Sequence, residues 1–289
     1  MAVGVGVVGH VEWVQFACVA RVPRPGEIVH AERAFSDAAG GGAVAAVQLR
    51  KLAGAATFLT ALGDDDAGRR AGERLRERYG LTLHAVTRPQ AQRRAVTFLD
   101  ASAERTITVL GERSVPVRAD PLAWESLARL DGIYFTGGDA GAVREARSAR
   151  VLVATARARG ALEQSGVLLD VLVGSATDAD ELYDAGMLDP EPRVIVRTRG
   201  ADGGSWEATG SGGGERPPWL PARRAGTWTA TALPRAPVDA YGCGDSFAAG
   251  LTHGLAAGMA LPDALELGAR CGAACLCGRG PYEGQLQLA

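Results

Sequence analysis

Short apolar runs alternate with alanine-rich or amphipathic stretches along most of the chain, and this alternation sets the expected elements. Val3 to Val8 is short and β-branched, as a strand buried on both faces should be. From about Glu12 to Arg33 the polarity is mixed and two prolines intervene, which predicts peripheral strands outside the core. Gly40-Gly41-Gly42 breaks the chain before a helix from about Ala43 to Leu52, whose Val44, Val47 and Leu52 among alanines suit close packing on a sheet. Thr57 to Ala61 predicts the next strand. An arginine-rich helix from about Ala67 to Arg78 follows Gly63-Asp64-Asp65. Arg94 to Asp100 and Arg105 to Leu110 predict an exposed hairpin. Gly132 to Thr136, Val151 to Thr155, Val167 to Val173 and Arg193 to Thr198 predict further strands with helical segments between them. The Gly- and Pro-rich stretch Gly210 to Pro221 predicts a surface loop. Alternating β and α units argue for a mainly parallel sheet covered on both faces, in one α/β domain over 1–289 with a small β appendage.

Composition acts mainly by exclusion. With 31 basic and 33 acidic side chains among 289 residues, the formal charge of -2 gives no nucleic-acid footprint and no polybasic membrane patch. The opening MAVGVGVVGHVEW has no basic n-region and does not read as a signal peptide. No run of about 18 apolar residues occurs that could span a bilayer. Five cysteines, an odd number, read as reduced thiols of a cytoplasmic protein. Lys51 is the only lysine. In Gln48-Leu49-Arg50-Lys51-Leu52 it fits neither a Walker A loop nor the third-strand lysine of protein kinases, so both nucleotide chemistries are excluded.

Several motifs invite chemistry. Gly4-x-Gly6-x-x-Gly9 fits the dinucleotide fingerprint, but only three residues precede it and an extended segment follows, so tight strand packing is the better expectation. Cys271, Cys275 and Cys277 cluster within a helical stretch, Leu265 to Cys275, without the paired spacing of a zinc knuckle. His10, His30, His84 and His253 are scattered and make no hydrolase motif. The strongest signal is Val238-Asp239-Ala240-Tyr241-Gly242-Cys243-Gly244-Asp245-Ser246-Phe247-Ala248-Ala249-Gly250. A Gly-x-Gly turn there opens an alanine-rich helix from about Ser246 to Ala257. Converging amides and the positive end of the helix make an anion hole suited to phosphoryl transfer. Asp245 stands at its mouth, where a carboxylate could take the proton of an attacking hydroxyl or merely cap the helix.

Residues 239–250 resemble the signature D-T-x-G-A-G-D-x-F-x-x-G of the ribokinase-like (PfkB-type) carbohydrate kinase family, departing from it at Ala240 and Cys243. Gly40-x-Gly42 with Gly63-x-Asp65-x-x-Gly68, and Thr198-x-Gly200-x-x-Gly203, resemble two further family motifs in family order. The resemblance implies a doubly wound α/β domain with a β-sheet lid, formed here from parts of 11–35 and 92–112. It implies transfer of the ATP γ-phosphate to a hydroxymethyl group of a sugar or related alcohol. Asp245 would be the general base, and the amides of Gly242, Cys243 and Gly244 the anion hole. Thr198, Gly200, Gly203, Ser175 and Gly272 would lie on the nucleotide side. Glu12, Gly40, Gly41, Gly42 and Val44 would face the substrate, with Glu12 for the usual Asp and Val44 for the usual Asn. Backbone carbonyls of Asp239 and Tyr241 would hold a monovalent cation such as K⁺. Asp178, in a Ser175-x-x-Asp178 remnant of N-x-x-E, would stand weakly toward Mg²⁺.

Three rivals accompany this expectation: a nucleoside kinase of the same fold, a nucleotide- or sugar-binding protein without turnover, and an NAD-dependent enzyme built on Gly4 to Gly9. The small lid sheet, with edges open to pairing, is also the expected homodimer contact.

Overall fold

The first strand, Val5–Val8, is buried at all four positions because it runs through the middle of a nine-stranded sheet. The structure, a computed structural model, describes residues 2–211 and 216–288. Numbered along the chain, the strands among them are β1 (Val5–Val8), β2 (Glu12–Cys18), β3 (Arg33–Ala39), β4 (Thr57–Gly63), β5 (Thr82–Arg88), β6 (Arg94–Leu99), β7 (Arg105–Leu110), β8 (Gly132–Phe135), β9 (Val151–Thr155), β10 (Val171–Ser175), β11 (Val194–Thr198), β12 (Gly204–Ala208) and β13 (Ala225–Trp228). The α-helices are α1 (Gly41–Ala53), α2 (Asp66–Glu73), α3 (Ala140–Ala146), α4 (Arg159–Ser165), α5 (Cys243–Ala256) and α6 (Leu261–Leu276).

The large sheet has the order β13-β12-β11-β10-β9-β8-β1-β4-β5. It is parallel except at one edge, where β12 and β13 are antiparallel. Successive side chains leave a strand on opposite faces, so Val5 and Val7 join one apolar core with α1, α5 and α6. Val8, Ile133 and Phe135 join the other, with α3 and α4. The doubly wound arrangement expected from the βα alternation is therefore present. Strand order reverses between β1 and β8, and ligands of such sheets bind beyond the carboxyl ends at that crevice.

The small sheet runs β3-β2-β6-β7, with β2 and β6 parallel and the other two pairings antiparallel. It matches the anticipated lid, although β3 reaches Ala39, beyond the segment assigned from sequence. The predicted hairpin of β6 and β7 forms, but it is exposed only on β7. Ala95, Thr97 and Leu99 of β6 are buried. Three strands escape the sequence reading: β5, an edge strand of mixed polarity, and the β12–β13 pair around the Gly/Pro-rich loop. Part of that loop, 212–215, lies outside the described residues. The strand placed at Val167 to Val173 instead runs from Val171 to Ser175, and the last turn of the arginine-rich helix winds as a π-turn over Arg74–Arg78.

Gly6 and Gly9 are packing glycines. A Cβ on Gly6 would lie 2.9 Å from the Thr57 carbonyl oxygen, and one on Gly9 would collide with Thr136 Oγ1 at 1.9 Å. The chain continues into β2 rather than a helix, so no dinucleotide turn exists at this place. Among the described residues, no helix is long and apolar enough to cross a membrane.

Candidate active site

Asp245 sits in the first turn of α5, whose N-cap, Gly242, has φ 80°. That left-handed conformation is open to glycine at little cost. It turns the chain so that the first intrahelical bond runs from the Ser246 N–H to the Gly242 oxygen at 2.9 Å. The preceding amides, those of Gly242, Cys243 and Gly244 among them, have no intrahelical acceptor. A Cβ on Gly244 would meet nothing within 4 Å, so the space above these amides is open. Asp239 fixes the approach to the turn: its carboxylate accepts from the Tyr241 and Gly280 amides, each at 2.8 Å.

The glycines before α1 meet this turn from the other side. A Cβ on Gly41 would stand 2.8 Å from Asp245 Oδ1, so any side chain there would push the carboxyl group aside. The Gly40 N–H donates to Tyr241 Oη at 3.2 Å. A Cβ on Gly40 would lie 3.1 Å from Glu12 Cγ, and one on Gly42 would meet the His10 backbone. Gly40, Gly41, Gly42, Glu12 and Asp245 therefore converge, as the sequence reading expected.

Glu12 is buried and ion-paired to Arg93 Nε at 2.8 Å, with His10 Nε2 3.8 Å away. Burial pushes its carboxyl up, against the pull of Arg93 and Arg113. Burial, with Arg113, Arg93 and Arg157 near, holds His10 well below its ordinary range, so the imidazole is neutral at physiological pH. Val44 is placed differently from expectation. It is fully buried, and a Cβ on Gly242 would touch its Cγ1 at 2.8 Å. Its isopropyl group packs beneath the turn at Gly242.

Asp245 has its carboxyl pushed up to about 7, first by burial and then by the Glu181 carboxylate. Arg105 and Arg157 oppose that shift. Glu181, Arg157, Arg105, Arg93 and His10 belong to this constellation and lie outside every sequence motif. Their only sequence signal is position. Arg157 follows the carboxyl end of β9 and His10 that of β1, where ligand groups gather in doubly wound sheets.

On the other side, Ser175 and Thr198 end the paired strands β10 and β11 in register. Gly200 and Gly203 have φ 54° and 76°, and a Cβ on Gly203 would strike the Trp228 oxygen at 2.1 Å. Trp228 stacks on Phe247 of α5, with ring centroids 5.5 Å apart. Gly272 of α6 lies under the first turn of α5, where a Cβ would be 3.3 Å from the Cys243 oxygen.

The positions tied to metals are already engaged. Asp178 pairs with Arg157 and accepts from the Asp180 N–H at 3.0 Å. Arg157 also binds Glu181 at 2.6 Å, and Glu181 in turn accepts from the Ser175 N–H at 2.7 Å. A protein-held divalent ion does not fit at Asp178, because a guanidinium stands there. The Tyr241 oxygen accepts from the Cys275 thiol at 3.5 Å, and Arg105 reaches from β7 to the Ala240 oxygen. Arg105 brings one positive charge to the loop of Asp239 and Tyr241, at the Ala240 carbonyl between them.

A sequence model described as pfkB family carbohydrate kinase matches residues 5–287. No curated protein matches the chain. Among solved structures, a ribokinase from Giardia lamblia aligns at 15% identity and TM-score 0.79, over 99% of this chain and 96% of the other. A ribokinase from Arabidopsis thaliana, complexed with ribose and ATP, aligns at 17% identity and TM-score 0.73 over the same shares. A microbiome-derived acarbose kinase aligns at 19% identity and TM-score 0.77, again over 99% and 96%. At these identities the likeness establishes the fold, and the family match establishes membership. The chain belongs to the pfkB family of carbohydrate kinases.

Proposed function

We propose that this carbohydrate kinase moves the γ-phosphate of ATP to a primary hydroxyl of a sugar or sugar-like alcohol, with Asp245 as general base. The observation that carries the reading is the carboxyl group of Asp245 lying against Gly41, in the first turn of a helix whose leading amides, those of Gly242, Cys243 and Gly244, have no intrahelical acceptor. A hydroxyl lying against Gly41 would give its proton to Asp245 while its oxygen attacks the γ-phosphorus and the bond from that phosphorus to the bridging oxygen breaks, releasing ADP. The amides and the positive end of α5 would receive the charge on the transferring phosphoryl group. Thr198, Ser175, Gly200, Gly203 and Gly272 frame the nucleotide side. Mg²⁺ would arrive on the nucleotide phosphates, outside protein ligands. Arg157 and Arg105 would supply positive charge that the chain itself holds, and K⁺ would not be required. The free thiols agree with a cytoplasmic enzyme.

Two rival readings weaken on the same geometry. A nucleoside acceptor drew support from an apolar Val44 facing the pocket, yet that side chain is buried beneath Gly242. A binding protein without turnover drew support from Val44 and from Ser175 in place of Asn. The Ser175 amide is nevertheless tied to Glu181 in the cleft.

The test is ATP-dependent product formation, followed by mass spectrometry, across sugars, nucleosides and polyols in potassium and in sodium salts. A phosphorylated sugar formed equally in both salts is expected. A panel without any product, in a protein that ATP does not stabilise against heat, would overturn the kinase reading.

The lid offers a pairing surface as well. β7 is an edge strand, and Ile107, Val109 and Leu110 on it are each at least 40% exposed. We propose that two copies pair through it, because such an edge is a template for another strand. Light scattering should give a dimer mass at micromolar concentration, and Val109→Lys a monomer. A monomeric parent chain would refute the contact.

A further inference from the structure

Beneath the β3 edge of the lid lies a cavity of about 580 Å³ that touches the Asp245 site only through Gly280, which donates to Asp239. Its walls come from β3, the end of α1, the turn after α2 and the segment 279–283. Five cationic side chains face it. Arg74 has Asp37 at 3.1 Å and Arg279 has Glu283 at 3.2 Å. Arg33, Lys51 and Arg78 have no carboxylate partner among the described residues. Lys51 Nζ donates only to the Tyr282 carbonyl, and burial pushes its ammonium down from its ordinary value. That is the behaviour of a desolvated cation without a counter-charge.

Against the carboxylates Asp37 and Glu283, which line the same concavity, the five cations leave a net charge of +3, carried by the exposed Arg33 and Arg78 and the half-buried Lys51. The volume lies in the range of small-molecule sites. Guanidinium groups match phosphate oxygens in geometry and charge. One negative charge would leave two cations unbalanced. We propose that this cavity is a second ligand site, for a phosphorylated small molecule carrying at least two closely spaced negative charges.

The occupant would do more than neutralise. Arg33 belongs to the lid, while Lys51, Arg78 and Arg279 belong to the body, so a bound anion would tie β3 down across the gap. β3 leads directly into Gly40 and Gly41. On the body side, Gly280 is hydrogen-bonded to Asp239, and Tyr282 Oη to the Ala38 carbonyl. Ligand at this site would therefore stabilise the register in which Gly41 meets Asp245. A nucleoside polyphosphate and a sugar bisphosphate share the required chemistry.

Calorimetric titration with inorganic pyrophosphate tests the assignment without needing turnover. The proteins compared are the parent chain, the doubly substituted Arg33→Ala/Arg78→Ala, and Gly244→Ala, which alters only the cleft. We expect affinity to fall by about tenfold or more in the arginine variant. In Gly244→Ala at least one pyrophosphate should still bind as in the parent. Parallel titrations with ADP and with a hexose bisphosphate then tell which source competes for the pyrophosphate site. Unchanged binding in the arginine variant, or no heat from the parent chain up to about 5 mM, overturns the site. An arginine-dependent anion site in a protein that phosphorylates nothing would sink the kinase reading and leave this one standing.

Discussion

Asp245→Asn is expected to lower turnover by about 10² to 10⁴, the usual share of a positioned general base, while leaving nucleotide binding close to that of the parent chain. The same substitution should raise thermal stability at pH 8. The Asp245 carboxyl is pushed from its ordinary 3.8 up to about 7. Between those values the folded chain holds a proton that the unfolded chain has released. The stability Asp245 contributes is thus present below about pH 4 and is lost as pH rises through about 7. An amide has no charge to desolvate, so the advantage of the variant should be largest at pH 8 and shrink toward pH 5. Activity runs the other way, because only the ionised carboxylate can accept a proton. The rate of the parent chain should therefore climb with pH through an apparent value near 7. Parent-like turnover in Asp245→Asn, or a flat pH profile from 5 to 8 with chemistry limiting, would remove Asp245 from the role of base.

Gly244→Ala should separate catalysis from folding. Its added methyl would meet nothing within 4 Å, and alanine is favoured over glycine in a helix by about 1 kcal/mol, so the melting temperature should hold or rise. The methyl would nevertheless occupy the space above the unpaired amides, where the transferring phosphoryl group would lie. Loss of such donors costs about 10² to 10³ in turnover. A stable variant with kcat reduced to that degree is the expected result. Gly41→Ala gives the contrasting case: its methyl would stand 2.8 Å from Asp245 Oδ1, so turnover and stability should fall together. Full activity in Gly244→Ala would show that the anion hole lies elsewhere.

Much of this site was legible in the sequence because its backbone requirements are written in glycine. The turn at Gly242 and the approach of Gly40-Gly41-Gly42 need residues without a Cβ, and their spacing survives in one dimension. The parallel strands were legible for a related reason, since burial on both faces demands near-continuous apolar runs rich in β-branched residues, such as Val151–Thr155. Charge partners left no such trace. Arg157, Glu181 and Arg93 reach the cleft through tertiary contacts between segments far apart in the chain, and nothing local marks them among 31 basic and 33 acidic residues. Val44 shows the opposite failure. Its apolar character is plain in the sequence, but whether its side chain lines the pocket or supports the turn depends on packing against Gly242.

The lid is fastened at two places along its outer strand pair. At the start of β6, Arg94 pairs with Asp65 at 2.9 Å, and nearby the Gly63 N–H donates to Gln92 at 3.0 Å. At the far end of that pair, opposite Leu99, Arg105 holds the Ala240 carbonyl. One fastening behaves as a pivot and the other as a latch at the tip of a lever. Five strand steps of about 3.3 Å make that lever about 17 Å long, so a tilt of about 10° swings the tip by about 3 Å. That travel is enough to break a hydrogen bond while hardly disturbing the pivot. Access to the cleft can thus be governed by a small angular movement of a stiff plate, with the two contacts at its tip, Arg105 on the Ala240 carbonyl and the Ala240 N–H on the Ala103 carbonyl, the first to part and the last to re-form.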